Sequence, residues 1–149
     1  ILPSIDILFA SEETLRKMFK ETGDMETIMR NFARKHNLSL LASTQRTVNS
    51  PKSHNFTSII YNCKEDKFYS EKPYENIEIV DRIGSGDAYV AGALYGILKY
   101  NDTEMALKYG NACGAVKNTI MGDNNCAGAG LIKGIIEDHE FGSTSEMNR

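Results

Sequence analysis

Residues 80–96 read VDRIGSGDAYVAGALYG, which places Gly84, Ser85, Gly86 and Asp87 at the front of an apolar run with helical spacing. Such a group can do two kinds of work. It can make a tight turn of glycines with Asp87 as the N-cap of the helix. It can also cradle an anion, because the first N–H groups of a helix have no intrahelical partner and the helix dipole adds partial positive charge there. Asp87 bears on the choice. A carboxylate beside an anion site is unfavourable unless it has a task, such as taking a proton from an attacking hydroxyl. For an arbitrary G-x-G-D the capped turn is the commoner reading, so other residues must decide. The dinucleotide fingerprint G-x-G-x-x-G does not fit, since Tyr89 stands where its last glycine belongs. A Walker A loop is excluded, since no Gly-Lys-Ser/Thr follows. Gly92 and Gly96 lie four apart, a spacing that points to close helix packing.

The elements that must position this stretch follow from periodicity. SIDILFA is an apolar run of strand length, and Ser11 is placed to cap a helix over EETLRKMFKETG. METIMRNFARKHN continues with Met25, Ile28, Met29 and Phe32 at helical spacing and predicts core on that face. LSLLAS and FTSIIYN read as strands, SPKSHN (50–55) as a loop, and KED as the turn into a further strand, KFYS. IEIV then runs straight into the glycine-rich stretch. Helices are predicted from about Gly86 to Tyr100, from about Thr103 to Lys117, and over GLIKGIIED, before a polar tail FGSTSEMNR. Alternating strands and helices predict an α/β fold with a largely parallel sheet.

With 149 residues the chain is long enough for a real core. Seventeen basic residues against 20 acidic ones leave a net charge of −3, with no basic block to recruit nucleic acid or an anionic membrane. No apolar run approaches a membrane span, and the first residues carry Asp6 without the basic start of a signal peptide. Cys63, Cys113 and Cys126 are odd in number and lack C-x-x-C spacing, which points to reduced thiols in the cytoplasm. Cys113 falls in an apolar helix and reads as packed core. His36, His54 and His139 have no metal-ligand spacing and read as surface residues.

The motif DRIGSGDAYVAG resembles the C-terminal signature of the ribokinase-like (PfkB-type) carbohydrate kinases, in which D-x-x-G-x-G-D opens a helix. SIDILFASEE, ASTQRTV and NACGAVKNTIMGDNN are similar, in the same order, to further segments of that family, so the resemblance runs from about Ile5 to the end of the chain. Asp81-Arg82 together with Gly122-Asp123 point within it to 2-keto-3-deoxygluconate kinases. The resemblance implies a ribokinase-like three-layer α/β fold, ATP and Mg2+ as cofactors, and a sugar acid as acceptor. It implies Asp87 as the base that deprotonates the sugar hydroxyl, with Gly84, Ser85 and Gly86 as the anion hole for the transferring phosphate. It further implies Thr44, Arg46 and Asn111 as nucleotide contacts and Asp123 as a contact to the sugar acid. Read without the family, Thr44 and Arg46 are strand-end surface residues, Asn111 a polar helix residue and Asp123 part of an ordinary turn.

The departures are informative too. The family's N-x-x-E falls on Ser11-Glu12-Glu13-Thr14, so neither motif end is kept, and these glutamates read as favourable charge in a first helical turn. No metal ligand is assigned. Met121 stands where proline is common, and Tyr89 where phenylalanine is. In length the chain corresponds to the C-terminal half of such a kinase, residues 1–149 forming its nucleotide-binding and catalytic part without the first βα units and the β lid over the sugar. A half sheet would expose an apolar edge and favour self-association into a homo-oligomer. The alternative from another class is a nucleotide-binding fragment or pseudokinase remnant without catalysis; a kinase for another sugar or a nucleoside is a lesser one.

Overall fold

Capping side chains mark three of the helix starts. Ser11 Oγ accepts from Thr14 N at 3.1 Å, Asp24 from Thr27 N at 3.0 Å and Asp102 from Met105 N at 2.9 Å, each satisfying a first-turn amide. The computed structural model describes residues 2–20 and 22–145. After a 3-10 turn (Leu2–Ser4) the order is β1 (Ile7–Phe9), α1 (Glu12–Lys17), α2 (Met25–Lys35), β2 (Leu40–Ser50), β3 (Ser53–Asn62), β4 (Lys67–Ser70), β5 (Tyr74–Glu78), α3 (Ser85–Tyr100), α4 (Thr103–Lys117) and α5 (Ala129–Ser145). The strands follow the order β1-β2-β3-β4, with β5 also pairing β3. The α/β class holds, and among the described residues the sheet is mixed. β1 and β2 are parallel because two helices carry the chain back between them, whereas β4 and β5 each run antiparallel to β3.

Two compact units emerge, neither continuous in sequence. The first holds the chain up to Arg46 together with Thr57–Lys72; the second holds Thr47–Phe56 and everything from Pro73 onward. In the first unit Leu15, Ile28, Met29, Phe32, Leu41 and Tyr61 form the middle of a core, so the apolar face expected on α2 is indeed buried. Burying one such side chain stabilises by about 1.5–3 kcal/mol. Asp66, in the β3–β4 turn, accepts from Tyr61 Oη at 2.7 Å and pairs with Arg30 and Arg34, which fastens that turn to α2.

In the second unit the segment 50–55 is not a loop. Only Pro51 and Lys52 turn; Ser53 already pairs with Glu78 and His54 with Ile77. His54 is 3 % exposed, so its surface reading is also corrected. The strand expected over FTSIIYN therefore begins three residues earlier, at Ser53, where polar Ser53, His54 and Asn55 give no apolar alternation to mark it. The predicted bounds of α4 agree with those observed, while α5 runs on through Ser145, past the predicted start of the polar tail at Phe141. Residues 146–149 of that tail lie outside the described residues.

The backbones of α3 and α4 come close enough to require glycine. A Cβ on Gly92 would sit 2.4 Å from the Tyr109 carbonyl oxygen and 2.8 Å from Cys113 Sγ, and one on Gly96 would sit 2.5 Å from the Met105 carbonyl oxygen. The spacing of the two glycines thus serves helix packing. Gly92→Ala should destabilise the fold by about 1–3 kcal/mol through overpacking, even though alanine favours the helix by roughly 1 kcal/mol. A lower urea midpoint at unchanged m-value is the expected result. An unaltered midpoint would show that α3 and α4 do not meet at this residue.

Candidate active site

The second unit builds its glycine turn from the exit of β5. The amides of Val80 and Asp81 both donate to the Asn118 carbonyl, at 2.8 and 3.2 Å, which ties the strand exit to the end of α4. Asn118 is itself fixed, donating through Nδ2 to the Gly114 carbonyl at 2.8 Å. Asp81 then bridges two segments. Its Oδ1 accepts from Ile83 N and its Oδ2 from Gly122 N, each at 3.0 Å. These amides, that of Ile83 first, hold the Asp81 carboxyl below the usual carboxylate range, since they favour the charged form.

Gly84 follows with φ +78°, ψ 0°, and caps α3 without any side-chain hydrogen bond. The conformation is left-handed, and a Cβ here would lie 2.3 Å from the Asp123 carbonyl oxygen, so the position admits glycine alone. The Ser85 amide donates to the Arg82 carbonyl at 3.2 Å and that of Ala88 to the Gly84 carbonyl at 2.9 Å. Between them, the amides of Gly86 and Asp87 fall in the first helical turn, where no intrahelical acceptor exists. Nothing lies within 4 Å of where a Cβ on Gly86 would project, so this side of the turn is open. Asp87 is exposed in the same turn, three residues beyond the cap. The helix therefore starts earlier than expected, and the cap position that the plain reading gave to Asp87 belongs to Gly84.

The remaining candidates are distributed unevenly. The backbone of Asp123 packs against Gly84 while the residue as a whole is exposed, so Gly84, Ser85, Gly86, Asp87 and Asp123 form one neighbourhood. Asn111 lies in the middle of α4 with no exposed surface. Thr44, half-buried, and Arg46, exposed, stand on β2 in the first unit. Glu12 and Glu13 pair with Arg16 and Lys17 at 2.7 and 2.6 Å, as first-turn charges do. An apolar cavity of about 220 Å³ opens between α3, α4 and α5, lined among others by Ala88, Tyr95, Tyr109, Cys113 and Ile132. Cys113 is half-buried there, and burial pushes its thiol up to about 11, which makes it a packing residue rather than a nucleophile.

Two parts of this site went unassigned in the sequence. The carboxylate bridge of Asp81 depends on Gly122, 41 residues away, and no local pattern encodes it. Lys117 stands in the last turn of α4, where a lysine ordinarily reaches into water, but it is fully buried. Its signal was the apolar, small-residue context of NACGAVK.

In class this is an α/β protein with a glycine-capped helix start, bonded by no side chain, whose first-turn amides lie in the same turn as one exposed carboxylate, a geometry suited to anions. Residues 1–129 match the pattern of the pfkB family carbohydrate kinases, and the chain belongs to that family. It is 29% identical over 123 residues to a 2-dehydro-3-deoxygalactonokinase of Haloferax volcanii, which covers 83% of this chain and 35% of that protein. A PfkB family carbohydrate kinase structure from Listeria grayi matches with a TM-score of 0.83 at 28% identity, over 92% of this chain and 42% of the other. The structure of the 2-dehydro-3-deoxygluconokinase of Thermotoga maritima matches with a TM-score of 0.85 at 24% identity, over 91% and 42%, and supports the ribokinase-like fold. The chain thus spans about a third to two fifths of the length of these relatives. No helix among the described residues is long and apolar enough to cross a membrane.

The Asp81 bridge makes stability depend on pH in a defined direction. Its folded-state pKa is lowered from 3.8, so its contribution is complete above that value and is lost as pH falls through the lowered one. Asp81→Asn should unfold at lower urea concentration than the parent at about pH 6, and the gap should narrow toward about pH 2 as the parent's carboxylate is protonated. A gap that stays constant with pH would show that the charge of Asp81 is not what holds the turn.

Proposed function

We propose that this chain is the C-terminal, nucleotide-side half of an ATP-dependent sugar kinase whose acceptor is a sugar acid, with 2-keto-3-deoxygluconate, converted to its 6-phosphate, as the leading substrate. The observation that carries the reading is the start of α3: a glycine cap without a side-chain bond, first-turn amides left open, and Asp87 exposed in the same turn. Asp87 is the base. It accepts the proton of the sugar hydroxyl as that oxygen attacks the γ-phosphorus and ADP departs. The amides of Gly86 and Asp87 stabilise the charge on the transferring phosphoryl group; Ser85 contributes less directly, because its amide is already used within the turn. Phosphoryl transfer asks for little beyond such positioning and charge stabilisation.

Gly84 shapes the turn, and Asp123, held against it, is assigned to the hydroxyls of the sugar acid. Thr44 and Arg46 are assigned to the nucleotide. Asn111, with no exposed surface, receives no direct contact in this reading. Mg2+ would enter with ATP, held chiefly through the phosphates. The kinship with a deoxygalactonokinase supports a sugar-acid acceptor. Cys63, Cys113 and Cys126 are unpaired, as fits a reducing cytoplasm.

A second reading, a nucleotide-binding half without catalysis, is favoured by one observation: Glu12 and Glu13 stand in ion pairs on α1, where the family motif carries N-x-x-E. ADP release from MgATP, with and without 2-keto-3-deoxygluconate, separates the two. Sugar-dependent release that falls by about 100- to 10,000-fold in Asp87→Asn, with the KM for ATP little changed, is the expected result. MgATP binding without turnover would establish the second reading. A folded chain that binds no MgATP would overturn both.

A further inference from the structure

Lys117 is the only buried lysine or arginine among the described residues, with 0 % exposure at the end of α4. A lysine in that position ordinarily reaches into water, where its charge still favours the helix C-terminus. Here the side chain turns inward. Its Nζ donates to the Ile120 carbonyl at 2.9 Å and to the Asp81 carbonyl at 3.4 Å. Removing an ammonium from water is costly, and an apolar side chain of similar volume would fill the space without that cost. Stability alone therefore gives no reason for a charge at this place.

The two carbonyls belong to the two segments that make the glycine turn. Asp81 precedes Gly84; Ile120 precedes Gly122 and Asp123. From their other side the same segments are joined by the Asp81 carboxylate, which accepts from Gly122 N, and by the contact of Gly84 with the Asp123 backbone. We propose that Lys117 is a positioning residue: its ammonium is a fixed internal cation that draws the carbonyls of Asp81 and Ile120 to one point and so sets the orientation of the 84–87 amides. The functional meaning rests on the anion-hole reading above, whereas the positioning itself does not. The attraction acts on backbone oxygen atoms, so it constrains the path of both segments whatever side chains they bear. The Asp81 carboxylate is also favoured in its charged form by the nearby ammonium.

The test compares Lys117→Met, which keeps the length of the side chain and removes its charge, with Lys117→Ala, which opens a cavity for an added amine. Amide hydrogen exchange should accelerate at least about tenfold at Ile83 and Gly122 in both variants, as expected on losing a charge-assisted hydrogen bond. The α3–α4 core amides should keep their protection in Lys117→Met. Propylammonium added to Lys117→Ala should restore the slow exchange at Ile83 and Gly122, and propanol at the same concentration should not. In the protein with measurable turnover, kcat should fall while the KM for the sugar acid holds, and propylammonium should recover kcat. Unchanged exchange at Ile83 and Gly122, or equal rescue by propanol, would overturn the proposal and leave Lys117 a space-filling residue. Should neither variant fold, the unaltered protein decides. Nitrogen-15 NMR of the Lys117 ammonium must show protons that exchange far more slowly than those of exposed lysines, and fast exchange overturns the assignment. These exchange measurements require no nucleotide, so a chain that fails to bind MgATP would refute the kinase reading without touching this one.

Discussion

One carboxylate holds the second unit's glycine turn in place. Asp81 accepts from the amides of Ile83 and Gly122 with its two oxygens, and through them the residues before α3 and those after α4 become one object. Remove that bridge and Gly84 loses the wall against which its left-handed conformation is set. The first turn of α3 would then have no defined direction. Backbone donors aimed at an anion are useful only if they are held before the anion arrives, since reorganising them afterwards would cost the energy they supply. The Asn118 carbonyl, which receives two amides from the strand exit, continues the same fastening into α4.

The helix pair beneath the turn explains why it can be held so firmly. Gly92 and Gly96 let α3 approach the α4 backbone closely, so the start of one helix and the end of the other cannot drift apart without breaking a tight packing contact. Tyr89 and Phe56 meet edge-on, with ring centroids 6.1 Å apart, and Gly114 accommodates the Phe56 ring where any side chain would collide. Small residues in α4 are thus matched to large ones around it. This is why a helix composed of NACGAVK can be buried on several sides at once.

What was legible in the sequence was whatever is decided locally. The bounds of α4 follow from helical spacing, and the presence of α3 from the apolar run after the glycines. The GSGD motif could be placed on that helix, although the cap proved to be Gly84 and not Asp87. Features decided by distant partners were hidden. His54 is buried where β3 pairs with β5, and a polar residue at an inward position erases the alternation by which a strand is read. Lys117 sits at a helix end, and the carbonyls of Asp81 and Ile120 that receive its ammonium lie outside that helix, where no local pattern points to them.

The interleaving of the two units has a consequence for how this chain can form. Each of β2 and β3 is divided between the units, at Arg46 and at Phe56, and the chain passes from one unit to the other a third time after Lys72. Cutting the backbone at any single peptide bond therefore cannot release either unit whole. During synthesis the first unit remains unfinished until Thr57–Lys72 has emerged, by which time the hairpin tip of the second already exists and waits for β5. Completing either unit therefore requires segments far apart in sequence to meet, and contacts of that kind form more slowly than local ones.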